Sequence, residues 1–331
     1  MSDEVLIGTD GWLFLKGGSN SLISYYDGSN RFDAPLVRAW CDLLRRRYDA
    51  LRSDGISYVH LFVPNKLSVY PEQAGIGLAH FNDHPIAAFM KGMDGAAGPQ
   101  DYHNCVVNPI AIYQEKKKDY LLYWKTDTHW TYWGCYWAYA LICERLGIAP
   151  NRDLMKRDFG EVELALDLGG KLTPPVTEKA QFYHTIKDSS RVYANEIVTY
   201  KERNNLENEV GLHVGSQVIY QNRKALSDKK VVLFGDSFSE YRPHLLTGLL
   251  AETFSEVHYV WSTSIDFAYV RRYRPDVVVT EIVERFMPLV PDDNFSLEEC
   301  VREKLRLTKR TFLRRQLDRL RRLKMGYRSG R

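Results

Sequence analysis

No run of apolar residues in this 331-residue chain approaches the roughly 18 that a membrane-spanning helix needs. The longest candidates, Leu121–Trp124 and Val231–Phe234, are strand-sized. Cysteine is scarce and badly spaced for cross-linking. Cys41, Cys105, Cys135, Cys143 and Cys300 form no C-x-x-C pair and are odd in number, which argues against a disulfide framework and against structural zinc, and fits free thiols in a reducing compartment. No G-x-x-x-x-G-K-S/T, no G-x-G-x-x-G after a strand and no H-E-x-x-H occurs, which removes the phosphate-loop, dinucleotide and zincin readings. The first residues, MSDEVLIGTDGWLFL, carry acids where an export leader carries Lys or Arg, and Gly8, Asp10 and Gly11 interrupt the apolar patch. No leader is expected, so a cytoplasmic or peripheral membrane location follows from the sequence alone. Internal repeats and low-complexity stretches are also missing.

What is present is a globular composition, 44% hydrophobic and 26% charged, with an aromatic excess of 21 Tyr and 7 Trp. The length suits one large α/β domain with an insertion, or two domains. The net charge of +3 is unevenly spread: residues 302–331 hold thirteen Lys or Arg against Glu303 and Asp318, a net of +11, which leaves −8 on residues 1–301. An acidic body therefore carries a basic tail.

Strands and helices alternate along the body. Arg38–Leu51 has helical apolar spacing and is followed by the strand Ser57–Val63; Leu121–Trp124 reads as a strand and Thr131–Leu146 as a helix stopped by Gly147. Residues 151–226 differ in texture, with short alternating segments such as Arg191–Tyr200 and Gln217–Tyr220, and read as a β-rich insertion. Lys230–Phe234, Glu256–Trp261 and Asp276–Ile282 are continuous apolar strands, with Pro243–Phe254 as a helix between the first two. Such strands predict an α/β fold with a parallel sheet covered by helices on both faces, and ligands beyond the carboxyl ends of the strands.

The strongest local signal is Gly235-Asp236-Ser237-Phe238 directly after the strand ending at Phe234. A serine on a strand-to-helix turn presents its hydroxyl at the sheet edge, where amides of the turn (Gly235, Asp236, Phe238) can hold a developing oxyanion. In an ordinary βα loop the same Ser and Asp serve as caps. Context comes from KTDTHWT, Lys125–Thr131: residues two apart in an extended segment share a side, so Asp127 can orient His129 while the other ring nitrogen faces a serine. Ser237, His129 and Asp127 thus supply nucleophile, base and orienting carboxylate. Asp236 competes for the last role, but beside the nucleophile it more naturally holds its own turn. Asp127-x-His129 alone supplies too few ligands for catalytic zinc, so neither metal nor cofactor is expected. Lys66 and Asn65, after the strand ending at Val63, are candidate substrate-binding residues, with a charged loop residue as the plain alternative. Trp130, next to His129, is a candidate substrate wall, whereas Trp133 and Trp137 at helical spacing belong to the core. Glu284 and Arg285 are expected to pair and brace the active-site loops.

Five segments occur in a telling order: GTDGWLFL (Gly8–Leu15), VPNKLSVYPE (Val63–Glu72), KTDTHWT, FGDSF (Phe234–Phe238) and EIVERF (Glu281–Phe286). Together they resemble the alginate O-acetyltransferase AlgX/AlgJ group, over roughly residues 5 to 290. The resemblance implies a permuted SGNH-hydrolase-like domain. It also implies acetyl transfer through Ser237, His129 and Asp127 to hydroxyls of an exported or surface polysaccharide, an acetyl donor delivered by a membrane acyltransferase, and a periplasmic location. A carbohydrate acetylesterase with the same triad and a non-catalytic polysaccharide-binding relative are the rival expectations. The expected organisation is one SGNH-like domain over residues 1–301, with the insertion at 151–226, and a tail over 302–331. In that tail Leu313, Leu317, Leu320 and Lys324, flanked by Phe312 and Leu323, trace one side of a basic amphipathic helix suited to an anionic membrane surface. A solvated helix packed loosely on its own domain is the plainer alternative for the tail, acidic partner proteins being another use of such helices, and no nucleic-acid partner is expected.

Overall fold

The computed structural model describes residues 4–17, 22–94 and 101–307. Among them are the strands β1 (Val5–Ile7), β2 (Leu13–Leu15), β3 (Ser57–Val63), β4 (Val106–Val107), β5 (Phe159–Leu164), β6 (Glu178–Tyr183), β7 (Ser189–Ala194), β8 (Gln217–Asn222), β9 (Ser227–Gly235), β10 (Phe254–Trp261) and β11 (Val277–Val283). Seven of these form the central sheet in the order β4-β3-β11-β9-β10-β8-β7. The pairs from β4 to β10 are parallel and the last two antiparallel. The fold is therefore α/β with a mostly parallel sheet.

Hydrophobic runs dictate this arrangement. β11 is buried along its whole length and β9 over its last five residues, which requires cover on both faces. Helices Ala34–Ser53 and Tyr132–Arg145 both pack against β3. The first starts where the Asp33 carboxylate accepts from Leu36 N–H with Pro35 in the opening turn, the second where Thr131 Oγ1 accepts from Trp133 N–H. Because β3, β9, β10 and β11 are parallel, their carboxyl ends meet at one edge. Ser237, Asn65–Lys66 and Glu284 all emerge there.

Three expected elements differ. Leu121–Trp124 makes only the bridge Tyr123 to Trp130, since Thr131 N–H already returns to Leu122 O at 2.9 Å and folds the segment into a tight hairpin. Arg191–Tyr200 splits: β7 ends at Ala194, and the Asn195 side chain, accepting from Val198 N–H, starts the helix Glu196–Asn204. Pro243–Phe254 shrinks to the helix Leu246–Ala251, because residues 239–245 form a loop whose Ser239 carbonyl takes Thr247 N–H at 3.3 Å. Half of the segment 151–226, β7 and β8, widens the main sheet, while β5 and β6 form a separate hairpin. The basic tail enters as a helix over 297–307, tied to the body by Lys304 Nζ donating to Gly211 O at 2.9 Å. The amphipathic pattern from Phe312 to Lys324 lies outside the described residues. Among the described residues, no helix is long and apolar enough to cross a membrane.

Candidate active site

The turn after β9 is stapled by its own aspartate. Asp236 Oδ1 accepts from Phe238 N–H and Oδ2 from Val283 N–H, each at 2.9 Å, so the carboxylate joins the turn to the end of β11. Asp236 N–H in turn donates to Glu281 Oε2 at 3.0 Å. Two of the amides expected to face an oxyanion are thus committed to carboxyl groups. Ser237 N–H has no acceptor among the described residues, which leaves it as the turn's open donor. Gly235 permits this packing, because a Cβ there would lie 2.8 Å from Glu281 Oε2. Ser237 itself is half-buried at the sheet edge.

His129 reaches that serine across the sequence. Ser237 Oγ–H donates to His129 Nε2 at 2.9 Å, and Nδ1–H donates to Asp127 Oδ1 at 2.7 Å. The tautomer follows from Asp127 being ionised. Burial works against its charge, but the facing His129 and the N–H groups of His129 and Asp167 hold its carboxyl below the usual range. For His129, burial opposes the imidazolium, yet the Asp127 charge and hydrogen bond outweigh it and raise the ring above its usual pKa. A second carboxylate stands behind the first. Asp167 accepts from Thr128 N–H at 2.8 Å and from Thr128 Oγ1 at 2.5 Å, and its Oδ2 lies 4.0 Å from His129 Nδ1. Burial and the Asp127 charge push its carboxyl up. Asp127, His129 and Asp167 offer ligand atoms within 4.8 Å of one another, but a cation there would have to replace the bond between Nδ1 and Oδ1.

The loop that bears His129 is held by side chains. Glu178, at the start of β6, accepts from Lys125 N–H at 3.1 Å and Thr126 N–H at 2.8 Å; Asp167 takes Thr128 N–H, and Asp127 takes His129 N–H at 2.7 Å. Four amides therefore end on three carboxylates. From the other side Lys66 Nζ donates to the carbonyls of Trp124, Lys125 and Asp127 at 2.9, 2.9 and 2.6 Å. Lys66 is buried, and burial pulls its ammonium down to about 7. Its protons face the loop rather than the opening. Asn65 is buried too, its N–H donating to Glu284 Oε2 at 2.9 Å.

Two expectations need correction. Trp130 is only 1% exposed and sits edge-on to Phe238 with ring centroids 5.2 Å apart, so it packs the core behind His129 and offers no wall to a sugar. Glu284 does not pair with Arg285. Its carboxylate is occupied by His84 Nδ1, Ser68 Oγ, and the N–H groups of Asn65 and Ile86, while the Arg285 guanidinium lies 5.2 Å from the Phe238 ring centroid. Groups from residues 65–86 occupy the buried carboxylate, and its chain neighbour Arg285 turns to the Phe238 ring instead.

An aromatic group lies across the hairpin from His129. Trp124, whose N–H approaches His129 O at 3.4 Å, faces Phe182 of β6 at 6.5 Å, and Phe182 meets His244 edge-on at 5.5 Å; all three are part-exposed. A cavity of about 840 Å³ lined by residues including Arg38, Cys41, His80 and Tyr102 contains none of the residues above.

A family model described as SGNH hydrolase-like domain, acetyltransferase AlgX, matches residues 5–270. No curated protein matches the chain. Among solved structures, the O-acetyltransferase domain of Pseudomonas putida AlgJ is 18% identical with a TM-score of 0.56, over 91% of this chain and 98% of that one. Bacillus cereus PatB1 with a sulfonyl adduct is 14% identical at a TM-score of 0.54, over 86% and 95%. Pseudomonas aeruginosa AlgX is 16% identical at a TM-score of 0.51, over 88% of this chain and 66% of that one. At such identities these likenesses carry the fold.

Proposed function

Since the chain belongs to the SGNH hydrolase-like acetyltransferase AlgX family, we propose that it carries an acetyl group on Ser237 and delivers it to hydroxyls of a bacterial polysaccharide. The continuous chain from Ser237 Oγ through His129 to Asp127, with links of 2.9 and 2.7 Å, is the observation that supports this reading. His129 Nε2 takes the serine proton as Oγ attacks the donor's acetyl carbonyl, and Ser237 N–H meets the oxygen that becomes negative. The imidazolium, favoured by Asp127, returns its proton to the leaving group. A sugar hydroxyl then gives its proton to Nε2, attacks the acetyl-serine, and leaves as the acetate ester while Ser237 regains its proton. The part-exposed Trp124, Phe182 and His244 beside the base suit the faces of a sugar ring. A membrane acyltransferase is the proposed source of the acetyl group.

Incubation with a chromogenic acetyl ester, followed by intact mass and peptide mapping, tests the reading. One acetyl group on Ser237, lost to oligosaccharide acceptors with formation of acetylated sugar, is the expected result. Full turnover by Ser237→Ala would overturn it, and acetate release without acetylated sugar would make the enzyme an esterase.

A further inference from the structure

Beneath the nucleophile turn lies a carboxyl group that the reaction does not use. Glu281, on β11, is fully buried. Its Oε2 accepts from Ser239 Oγ at 2.7 Å and from Asp236 N–H at 3.0 Å, whereas its Oε1 is buried without a hydrogen-bond partner among the described residues. The missing Cβ of Gly235 makes room for Oε2.

An ionised carboxylate would leave Oε1 bearing charge in the protein interior without a donor, where charge is strongly disfavoured. It would also place that charge beside Asp236, whose two oxygens are already bonded to amides as an anion's would be. Two carboxyl groups sharing one site cannot both ionise cheaply; Asp236 has a donor on each oxygen, whereas both donors to Glu281 fall on Oε2 and none on Oε1, so Glu281 keeps the proton. The other titratable groups within its electrostatic reach are Tyr123, Tyr259 and Cys135, all buried and all pushed toward their neutral forms, chiefly by burial. Burial first, then the Asp236 charge, holds the Glu281 carboxyl well above the usual range.

We propose that Glu281 is a neutral acid that positions the nucleophile turn and spares the neighbouring oxyanion site a second negative charge. Resting on Ser237 being the nucleophile, the inference makes Glu281 a positioning residue, since it touches neither Ser237 Oγ nor the base. Oε2 fixes Asp236 N–H and Ser239 Oγ, the two groups that bracket Ser237. The proton on the carboxyl lets it do so without repelling the charge that develops at Ser237 N–H.

The test compares the full chain with Glu281→Gln and Glu281→Ala. In infrared difference spectra at about pH 7.5, wild type minus Glu281→Gln should show the stretch of a protonated carboxyl; its absence overturns the proposal. Gln keeps the acceptor and a neutral charge, so Glu281→Gln should acetylate Ser237 within about threefold of wild type with the same pH profile, while Glu281→Ala, which loosens the turn, should fall about 100-fold. A Gln variant as slow as Ala would mean that the charge is needed, and an Ala variant at full rate would mean that the group positions nothing; either result overturns the proposal. Should Glu281→Ala fail to fold, the infrared band and the Gln rate still decide. Retained activity in Ser237→Ala would sink the acetyl-serine reading and leave the infrared result standing by itself.

Discussion

Replacing Asp127 by Asn separates charge from geometry at the base. The Asn carbonyl can keep the position of Oδ1, which accepts both His129 N–H and Nδ1–H, so the tautomer has a means of surviving. What goes is the negative charge, and the new NH₂ faces Asp167 N–H, which Oδ2 now accepts at 3.3 Å. A unit charge about 4 Å from the imidazolium at an effective dielectric near 20 is worth about 4 kcal/mol, or roughly three decades in rate. That agrees with the loss of about 10³ to 10⁴ seen when triad carboxylates are neutralised elsewhere. Asp167, 4.0 Å from Nδ1 but with a side chain 36% exposed, should be worth less; Asp167→Asn is expected to lose about tenfold. With Asp127 gone, Asp167 is the remaining charge beside the ring, so the double variant should lose about tenfold more than the product of the two singles. The pH dependence gives a second handle. Since His129 must be neutral to act and its pKa is raised above 6.5, wild-type kcat/KM on a chromogenic acetyl ester should fall on the acid side with a midpoint above that value. In Asp127→Asn the plateau drops while the midpoint moves to lower pH, because the charge that favoured the imidazolium is missing. A near-wild-type Asp127→Asn alongside a dead Asp236→Asn, or an unmoved acid limb, would refute the assignment.

Lys66→Met should keep the fold but lose about 3 kcal/mol in urea unfolding and at least tenfold in ester turnover, since three carbonyls of the base loop lose a shared donor; unchanged turnover would show the loop needs no clamp. Phe182→Ala should raise KM for oligosaccharide acceptors several-fold, as loss of one stacked ring of about 1 kcal/mol implies, while leaving acetylation of Ser237 by a small ester alone. Removing residues 308–331 should abolish co-sedimentation with anionic liposomes at low salt and spare ester hydrolysis, each Lys or Arg near such a surface contributing about 1 kcal/mol. Failure of the full chain to bind those liposomes would assign the tail to a partner protein.

Much of this was legible because it is local. Continuous Val-rich runs announce parallel strands, and Ser237 was marked by standing right after one, His129 by its neighbour two residues earlier. The helpers leave no such trace. Asp167 and Glu178 are single acids in a loop and a hairpin, and Glu281 stands beside Thr280 within an otherwise apolar strand; each acquires its partner only when segments distant in sequence meet. Lys66 and Trp130 were noticed, but nothing in their spacing told that both turn inward. Glu284 was read against its chain neighbour because adjacency is all a sequence offers.

The carboxylate clasp on the loop of residues 125–129 makes the His129 end of the molecule less durable in acid than the sheet beneath it. Strands are zipped by backbone amides to backbone carbonyls, bonds that no proton can cancel. Residues 125–129 hang by four amides from Glu178, Asp167 and Asp127, and a protonated carboxyl is a poorer acceptor. Of the two aspartates, Asp167, its pKa raised by burial and the Asp127 charge, lets go before Asp127, which His129 holds low. Amide hydrogen exchange would then register Thr128 opening while β9 and β11 remain closed, so that His129 sits on a loosened loop held only through its carbonyls, by Lys66 and by backbone amides, in a protein whose sheet is still folded.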